Sequence, residues 1–292
     1  MKVLLTGATG FIGSSLLRII PDDIEIIVLT SNLTHQSYSK HNIEYIQCDM
    51  SDYKTINEKV HEKVDLCIHL AWTGNTGQER TNVRLQLKSI GTSIDLLHSL
   101  HTLNVKRFVG IGSIAEKEVI KYHLSDGSTP NPVSTYGVSK LMAHMLTKVK
   151  CNELGIEHIW CQLGNTFGPG DGTRNFINST IDKLKTNDRA SFTKGDQIYD
   201  FVYVDDAAKG IWTASTKGLS NYSYYIGSGN PCPLKNYILE MRDLISPTKP
   251  IVFGEIPYNG ISLDFKDYDI SPLSLMGYQP STSFADGIKK MI

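Results

Sequence analysis

Two groups of residues in this chain have the types and spacing to do chemistry together. In the first, Tyr136 and Lys140 stand four apart in Tyr136-Gly137-Val138-Ser139-Lys140, so on a helix they share a face and an ammonium can lie beside a phenol. A tyrosine at its ordinary pKa of about 10 is a poor base at neutral pH, and a nearby cation favours the phenolate and lowers that value. Such a phenol can give or take a substrate proton while a nicotinamide cofactor carries the hydride. Ser113 ends the run Val109-Gly110-Ile111-Gly112-Ser113. Its hydroxyl can hydrogen-bond a carbonyl oxygen as charge develops there, or serve only as a turn or helix cap.

The second group is Thr6-Gly7-Ala8-Thr9-Gly10-Phe11-Ile12-Gly13, with its glycines between an apolar run and a helical pattern. Lacking a Cβ, Gly7 can make the tight turn, Gly10 lets a pyrophosphate approach the backbone, and Gly13 lets helix and strand pack closely. The helix N-terminus that follows offers free N–H groups and a positive dipole end to the phosphates. Thr9, Phe11 and Ile12 lie in the same turn and belong to the expected cofactor contact.

These residues need a scaffold, and the hydrophobic pattern supplies one. Apolar runs at 2–6, 24–30, 43–48, 64–70, 107–112 and 156–163 read as strands. Helical patterns at 11–20, 52–61, 79–103 and 134–154 lie among them, with Pro21, Asn104 and Gly155 as stops. Strands apolar on both faces, alternating with helices, indicate a parallel sheet covered on both sides. Right-handed crossovers make this a doubly wound α/β fold of the Rossmann type. The regularity breaks after Leu163, where Gly164–Gly172 by number 164–172 is turn-rich. Residues 1–163 therefore read as the dinucleotide-binding domain and 164–292 mostly as a smaller substrate lobe, with 201–217 returning to the larger unit.

The chain has 292 residues, 40% hydrophobic and 20% charged, with a formal net charge of −1. No global field draws it to nucleic acid or an anionic membrane, so an anionic ligand must be held by local donors. The five cysteines show no CxxC pair, which argues against a disulfide framework or a zinc site and for buried reduced thiols. The first strand begins at once, no apolar run reaches membrane-spanning length, and a cytoplasmic location is expected.

The GxxGxxG spacing, the Tyr136–Lys140 pair and Ser113 together resemble the extended short-chain dehydrogenase/reductases. Further segments look like successive landmarks of the NAD-dependent epimerase/dehydratase group: His69-Leu70-Ala71, 165–171, 200–206 and 225–229. The resemblance covers nearly the whole chain. It implies an enzyme acting on a nucleotide-activated sugar, with Ser113, Tyr136 and Lys140 catalytic. Residues 168–206 particularly resemble the CDP-abequose synthase-like sugar-nucleotide 4-ketoreductases, which implies deoxysugar biosynthesis for bacterial surface polysaccharide, including lipopolysaccharide O-antigen. Dimerisation through the helices at 79–103 and 134–154 is common in that family.

By the same resemblance, Leu70 and Ala71 join the cofactor site, Asn165 contacts the sugar nucleotide, and Asp49-Met50 faces the adenine, although Asp49 could equally cap a helix. Trp72 either lines the nicotinamide and substrate pocket or simply packs, and His69 is read as structural. The second strand ends in Thr30-Ser31-Asn32, without the carboxylate that NAD-selective relatives place on the ribose. Ser31 and Asn32 can donate to a 2′-phosphate, which favours NADP(H) over NAD(H), although no arginine stands there. Tyr199 occupies the position where relatives commonly carry a diphosphate-binding arginine, and Arg174 and Lys194 are candidate substitutes.

Three reactions compete. Ile114 and Ala115 stand where 4,6-dehydratases carry Asp-Glu, with Glu116 one place off, so dehydration is disfavoured. Reduction of a 4-keto sugar is the first expectation and epimerisation the second. A dinucleotide-binding sensor would keep the glycines but not need the intact Tyr136–Lys140 pair.

Overall fold

A computed structural model of the chain describes residues 1–34, 42–123, 134–186, 189–258 and 260–292. In chain order the first elements are β1 (Lys2–Thr6), α1 (Phe11–Ile19), β2 (Glu25–Thr30), β3 (Ile43–Gln47), β4 (Leu66–His69), α2 (Val83–Thr102), β5 (Arg107–Ser113), α3 (Ala115–His123), α4 (Thr135–Leu154) and β6 (Glu157–Leu163). Then follow β7 (Asn165–Phe167), α5 (Phe176–Thr186), β8 (Ala190–Phe192), β9 (Ile198–Tyr199), β10 (Phe201–Tyr203), α6 (Val204–Lys217) and β11 (Tyr222–Ile226). The last are β12 (Cys232–Pro233), α7 (Leu234–Ile245), β13 (Ile251–Phe253), α8 (Ser271–Ser274) and α9 (Phe284–Lys289).

Seven of these strands form one parallel sheet in the order β11-β6-β5-β4-β1-β2-β3. Alternate residues of each inner strand serve opposite faces. Val3, Leu5 and Ile68 join α1 and α6 in one buried cluster, while Leu4, Cys67 and Phe108 join α2 and α4 in another. This is the Rossmann-type doubly wound arrangement, in which both faces must be apolar because both carry helices. The order reverses between β1 and β4, and the crevice outside their carboxyl ends is where such sheets bind ligands.

Three boundaries differ from the sequence pattern. The helix expected at 52–61 is a 3₁₀ stretch over Met50–Glu58, kinked at Thr55, where φ is −119° and ψ 18°. The helix expected from 79 begins at Val83, because the Asn82 side chain accepts from the Leu85 N–H and caps it, behind a 3₁₀ turn over Gly77–Thr81. Beyond the 201–217 segment, β11 also lies in the large sheet, against β6. The helix α6 covers that sheet, and Asp205 ties it to α1 by accepting from Ser15 Oγ at 2.5 Å and Arg18 at 2.8 Å.

The rest of the lobe is built from short pairs, β7 with β10, β8 with β13 and β9 with β12. Its core gathers Phe167, Phe192, Phe201, Tyr237 and Met241. All five cysteines are free thiols, and four are buried. No helix among the described residues is long and apolar enough to cross a membrane, and no cluster of metal-ligating side chains occurs among them.

Two histidines are sealed in this scaffold. His69 shares hydrogen bonds with Thr6 Oγ1 at 2.7 Å and Ser93 Oγ at 2.9 Å, and His158 with Thr147 Oγ1 at 3.0 Å. Burial pushes both imidazoles down to about 3 from an ordinary 6.5; the Lys140 charge adds to the effect at His69 and the His144 charge at His158. Between those values the unfolded chain binds protons that the folded chain refuses, so stability falls as pH drops below 6.5. Urea denaturation against pH should show a loss of up to about 1.4 kcal/mol per pH unit for each ring. His69→Gln should flatten that slope by about half, and an unaltered slope would contradict the account.

Candidate active site

The site begins where β1 runs out. Gly7 has φ +71°, and a Cβ on it would lie 2.6 Å from the Ala71 nitrogen. A Cβ on Gly13 would lie 2.2 Å from the Gly7 carbonyl oxygen, so the first turn of α1 sits directly on the strand end. Gly10 is the N-cap of α1 and no side chain caps it, which leaves the first-turn N–H groups pointing into the crevice. This cradle fits a dinucleotide pyrophosphate: it is shaped by backbone, open at the N–H groups, and would be filled by any added Cβ.

A cavity of about 480 Å³ opens from the cradle and is lined by Gly7, Gly10, Phe11, Ile12 and Gly13 on one side. Leu70 and Trp72 from the end of β4 form its floor, and Ser113, Tyr136 and Lys140 its far wall. Asn165 and Tyr199 close it from the lobe. The three residues expected to be catalytic are thus brought together beside the glycine turn. Ser134 caps α4 by accepting from the Gly137 N–H, which starts the helix one residue before Tyr136 and sets that residue on the cavity wall with Ser113.

Burial and a third group, Arg80, enter the electrostatics of the pair. Lys140 is buried; its Nζ donates to the Ile111 carbonyl at 2.9 Å and lies 3.7 Å above the Trp72 ring, 5.8 Å from the Tyr136 ring centre. Burial pushes this amine down to about 7, with Glu116 opposing the fall. Burial likewise pushes the Tyr136 phenol up from 10, opposed chiefly by the Arg80 guanidinium. The Arg80 guanidinium is a second cation on the phenol, stacked 4.1 Å from the ring centre, closer than Lys140 Nζ at 5.8 Å.

Arg80 was not singled out by spacing, because it reaches the cavity from the 3₁₀ turn that precedes the Asn82 cap. Glu118 of α3 also lines the cavity, its carboxyl pushed up by burial against the pull of Arg80. Glu116, in contrast, points inward and is fully buried. It accepts from the Ser113 N–H at 2.8 Å while Ser113 Oγ accepts from the Ala115 N–H at 3.2 Å. This is close to the capping box that Ser-x-x-Glu spacing signals.

The remaining expected residues divide. Asn165 donates from its side chain to the Asp200 carbonyl at 3.5 Å and faces the cavity. Asp200 itself is buried, bonded to Tyr225 and Ser228, and Asp206 holds the backbone of Ser281 and Thr282, so this segment is architectural. Trp72 lines the cavity and also donates to Gln86 at 2.9 Å, which fixes the indole. Ala71 donates to Thr6 Oγ1 at 3.3 Å and, like Thr9, is not among the cavity-lining residues. Asp49 accepts from the N–H and hydroxyl of Ser51 as a 3₁₀ cap, and Met50 accepts from Thr73. Ser31 and Asn32 are exposed at the end of β2, where Asn32 Oδ1 accepts from Thr34. Arg174 and Lys194 are exposed and do not line this cavity, which leaves Arg80 and Lys140 as its basic residues among the described ones.

Comparison with known proteins agrees with this geometry. A protein of Methanocaldococcus jannaschii, provisionally named a UDP-glucose 4-epimerase, is 28% identical over 99% of this chain and 97% of its own. CDP-abequose synthase of Salmonella typhimurium is 23% identical over 99% and 97%. The crystal structure of dTDP-glucose 4,6-dehydratase from Streptomyces venezuelae, with NAD bound, superposes with a TM-score of 0.78 at 21% identity, covering 99% of this chain and 94% of that one. The family model described as the NAD dependent epimerase/dehydratase family matches residues 3–227. The chain belongs to that family, and it is an enzyme of the extended short-chain dehydrogenase/reductase type.

Proposed function

We propose that the protein reduces a 4-keto group on a nucleotide-activated deoxysugar with NAD(P)H. The observation that carries this reading is the one cavity that Ser113, Tyr136 and Lys140 line together with the glycine cradle. Ile114 and Ala115 line the same wall and cannot exchange protons. Two carboxylates, Glu118 and Asp171, line the cavity, and neither directly follows Ser113 as the Asp-Glu of a dehydratase would.

The glycine cradle and Lys140 would hold a reduced nicotinamide cofactor, which when bound would supply a hydride for the carbonyl carbon. Ser113 donates a hydrogen bond to the carbonyl oxygen and orients it. Tyr136, whose burial keeps its proton on the phenol, gives that proton to the same oxygen, so the ketone becomes an alcohol. Lys140 has ammonium donors beyond the one held by Ile111, available to a ribose hydroxyl of the cofactor. The absence of a carboxylate at Ser31 and Asn32 supports NADP(H) over NAD(H), and the resemblance to CDP-abequose synthase-like reductases supports a place in making deoxysugars for surface polysaccharide. Epimerisation is the second reading, supported by the 28% identity to the M. jannaschii protein.

Mixing the protein with candidate 4-keto sugar nucleotides and NADPH or NADH decides between them. Reduction consumes cofactor absorbance in step with product and gives a higher kcat/KM with NADPH. Inversion at C4 without net cofactor loss would establish epimerisation, and cofactor binding without turnover of any sugar would establish a sensor. Tyr136→Phe should lower kcat about 100-fold or more with cofactor affinity held within about threefold. Turnover undiminished in that variant would remove Tyr136 from the chemistry.

We also propose a homodimer built on α2 and α4. Val83 and Leu87 of α2 and Met142, Met145, Leu146 and Val149 of α4 are exposed, with Met145 at 60%. On α4 they follow helical spacing and make one apolar stripe. Met145→Glu combined with Val149→Glu should give a monomer in sedimentation velocity, and a monomeric parent protein would refute the proposal.

A further inference from the structure

One buried amide on α2 joins the loop after β4 to the floor of the cavity. Gln86 has no exposure, yet its side chain is fully engaged. Its Oε1 accepts from Trp72 Nε1 at 2.9 Å, and its Nε2 donates to the Gly74 carbonyl at 2.5 Å and the Glu79 carbonyl at 3.3 Å. An indole N–H can only donate and a carbonyl can only accept, so the partners dictate both an amide and its orientation. Room for it comes from Gly74, at φ +79°, where a Cβ would lie 2.8 Å from Gln86 Nε2. One turn further along α2, Ser89 Oγ accepts from the Thr73 N–H at 2.9 Å and donates to the Thr73 carbonyl at 3.1 Å.

We propose that Gln86 is a positioning residue of the active site, which locks the Trp72 indole and through it the Lys140 ammonium. Bonds to the backbone of Thr73, Gly74 and Glu79 suffice to hold a loop; the bond to the indole does something else. It fixes a ring that lines the cavity, packs against Ile90, Ala143 and Trp160, and turns its face to Lys140 Nζ at 3.7 Å. That ammonium is held from two directions, by the ring and by the Ile111 carbonyl at 2.9 Å. Lys140 lines the cavity, so the donor direction that is left belongs to the cavity and is aimed before a ligand arrives. A lysine on a loose stem would have to be ordered at the moment of binding, and that ordering weakens affinity. The indole face adds a cation–π attraction, which is strongest where water is excluded, as it is around buried Lys140.

The proposal rests on the reading of Lys140 as part of the reductive site, but its first test needs neither cofactor nor sugar. The Cε protons of a lysine held against an indole face are shielded by the ring and resonate upfield of other lysines. With lysines labelled with ¹³C at Cε, and Lys140 assigned through Lys140→Arg, NMR reads that displacement in the whole chain. Gln86→Met fills similar space without the hydrogen bonds and should return the Lys140 resonance towards the other lysines; an unmoved resonance overturns the proposal. Trp72→Phe keeps an aromatic face but lacks the N–H, so in that background Gln86→Met should add little. An effect as large as in the parent would mean that the loop backbone acts instead, and overturns the proposal too. If Gln86→Met does not fold, hydrogen exchange in the unsubstituted protein decides. The chain has three tryptophans, and the indole N–H resonance lost in Trp72→Phe should be protected, whereas exchange as fast as an exposed indole overturns the proposal. Gln86→Met should also raise the Kd for NADPH or NADH about tenfold, the scale of one desolvated cation–π contact. An unchanged Kd in a protein whose parent binds cofactor overturns the proposal. Should the parent bind neither cofactor while the Lys140 resonance still moves, the functional reading fails and this one stands.

Discussion

Everything in the site is referred to one close approach, the seating of Gly13 on the carbonyl of Gly7. It sets where α1 begins relative to the end of β1, and so where its free N–H groups point. It also falls at the reversal of strand order, next to β4, so the residues after His69 meet the same crevice. A side chain at either glycine would push helix and strand apart, and the wall carrying Ser113 and Tyr136 would then face a cradle of the wrong width.

Behind that wall the controlling force is burial. The amine of Lys140 and the carboxyl of Glu116 are buried and the phenol of Tyr136 is half-buried, so neighbouring groups act on one another more strongly than in water. Withdrawal keeps the proton on Tyr136 and weakens the hold of Lys140 on its own. The neighbours Arg80 above and Glu116 below act in opposite directions on both. The protonation state of this site is a balance among four groups rather than a property of two.

Much of this was legible in the residues themselves. Apolar runs gave the strands of the large sheet, because a strand covered on both faces can carry little else. The glycines and Tyr136-x-x-x-Lys140 were legible because their spacing is their mechanism. What escaped depends on depth and on local capping. The 3₁₀ stretch at Met50–Glu58 hides behind a periodicity that Asp49 and Thr55 break, and Asn82 ends one helix-like pattern to start another. Ser113 and Glu116 carried a readable capping signature, but nothing in their spacing says that the glutamate has no exposure or that Trp160 and His144 converge on it. Arg80 gave no periodic signal at all, since a 3₁₀ turn places it.

The return of α6 and β11 to the large sheet also governs how the molecule holds together. Val202, Ile211, Tyr224, Ile226 and Tyr278 pack in the same buried cluster as Val3, Leu16 and Ile68. The first 163 residues therefore lack part of the lining for one face of their own sheet, and the lobe is threaded through that lining rather than appended to it. Melting should be a single all-or-none event, with the two halves sharing one cooperativity instead of each keeping its own.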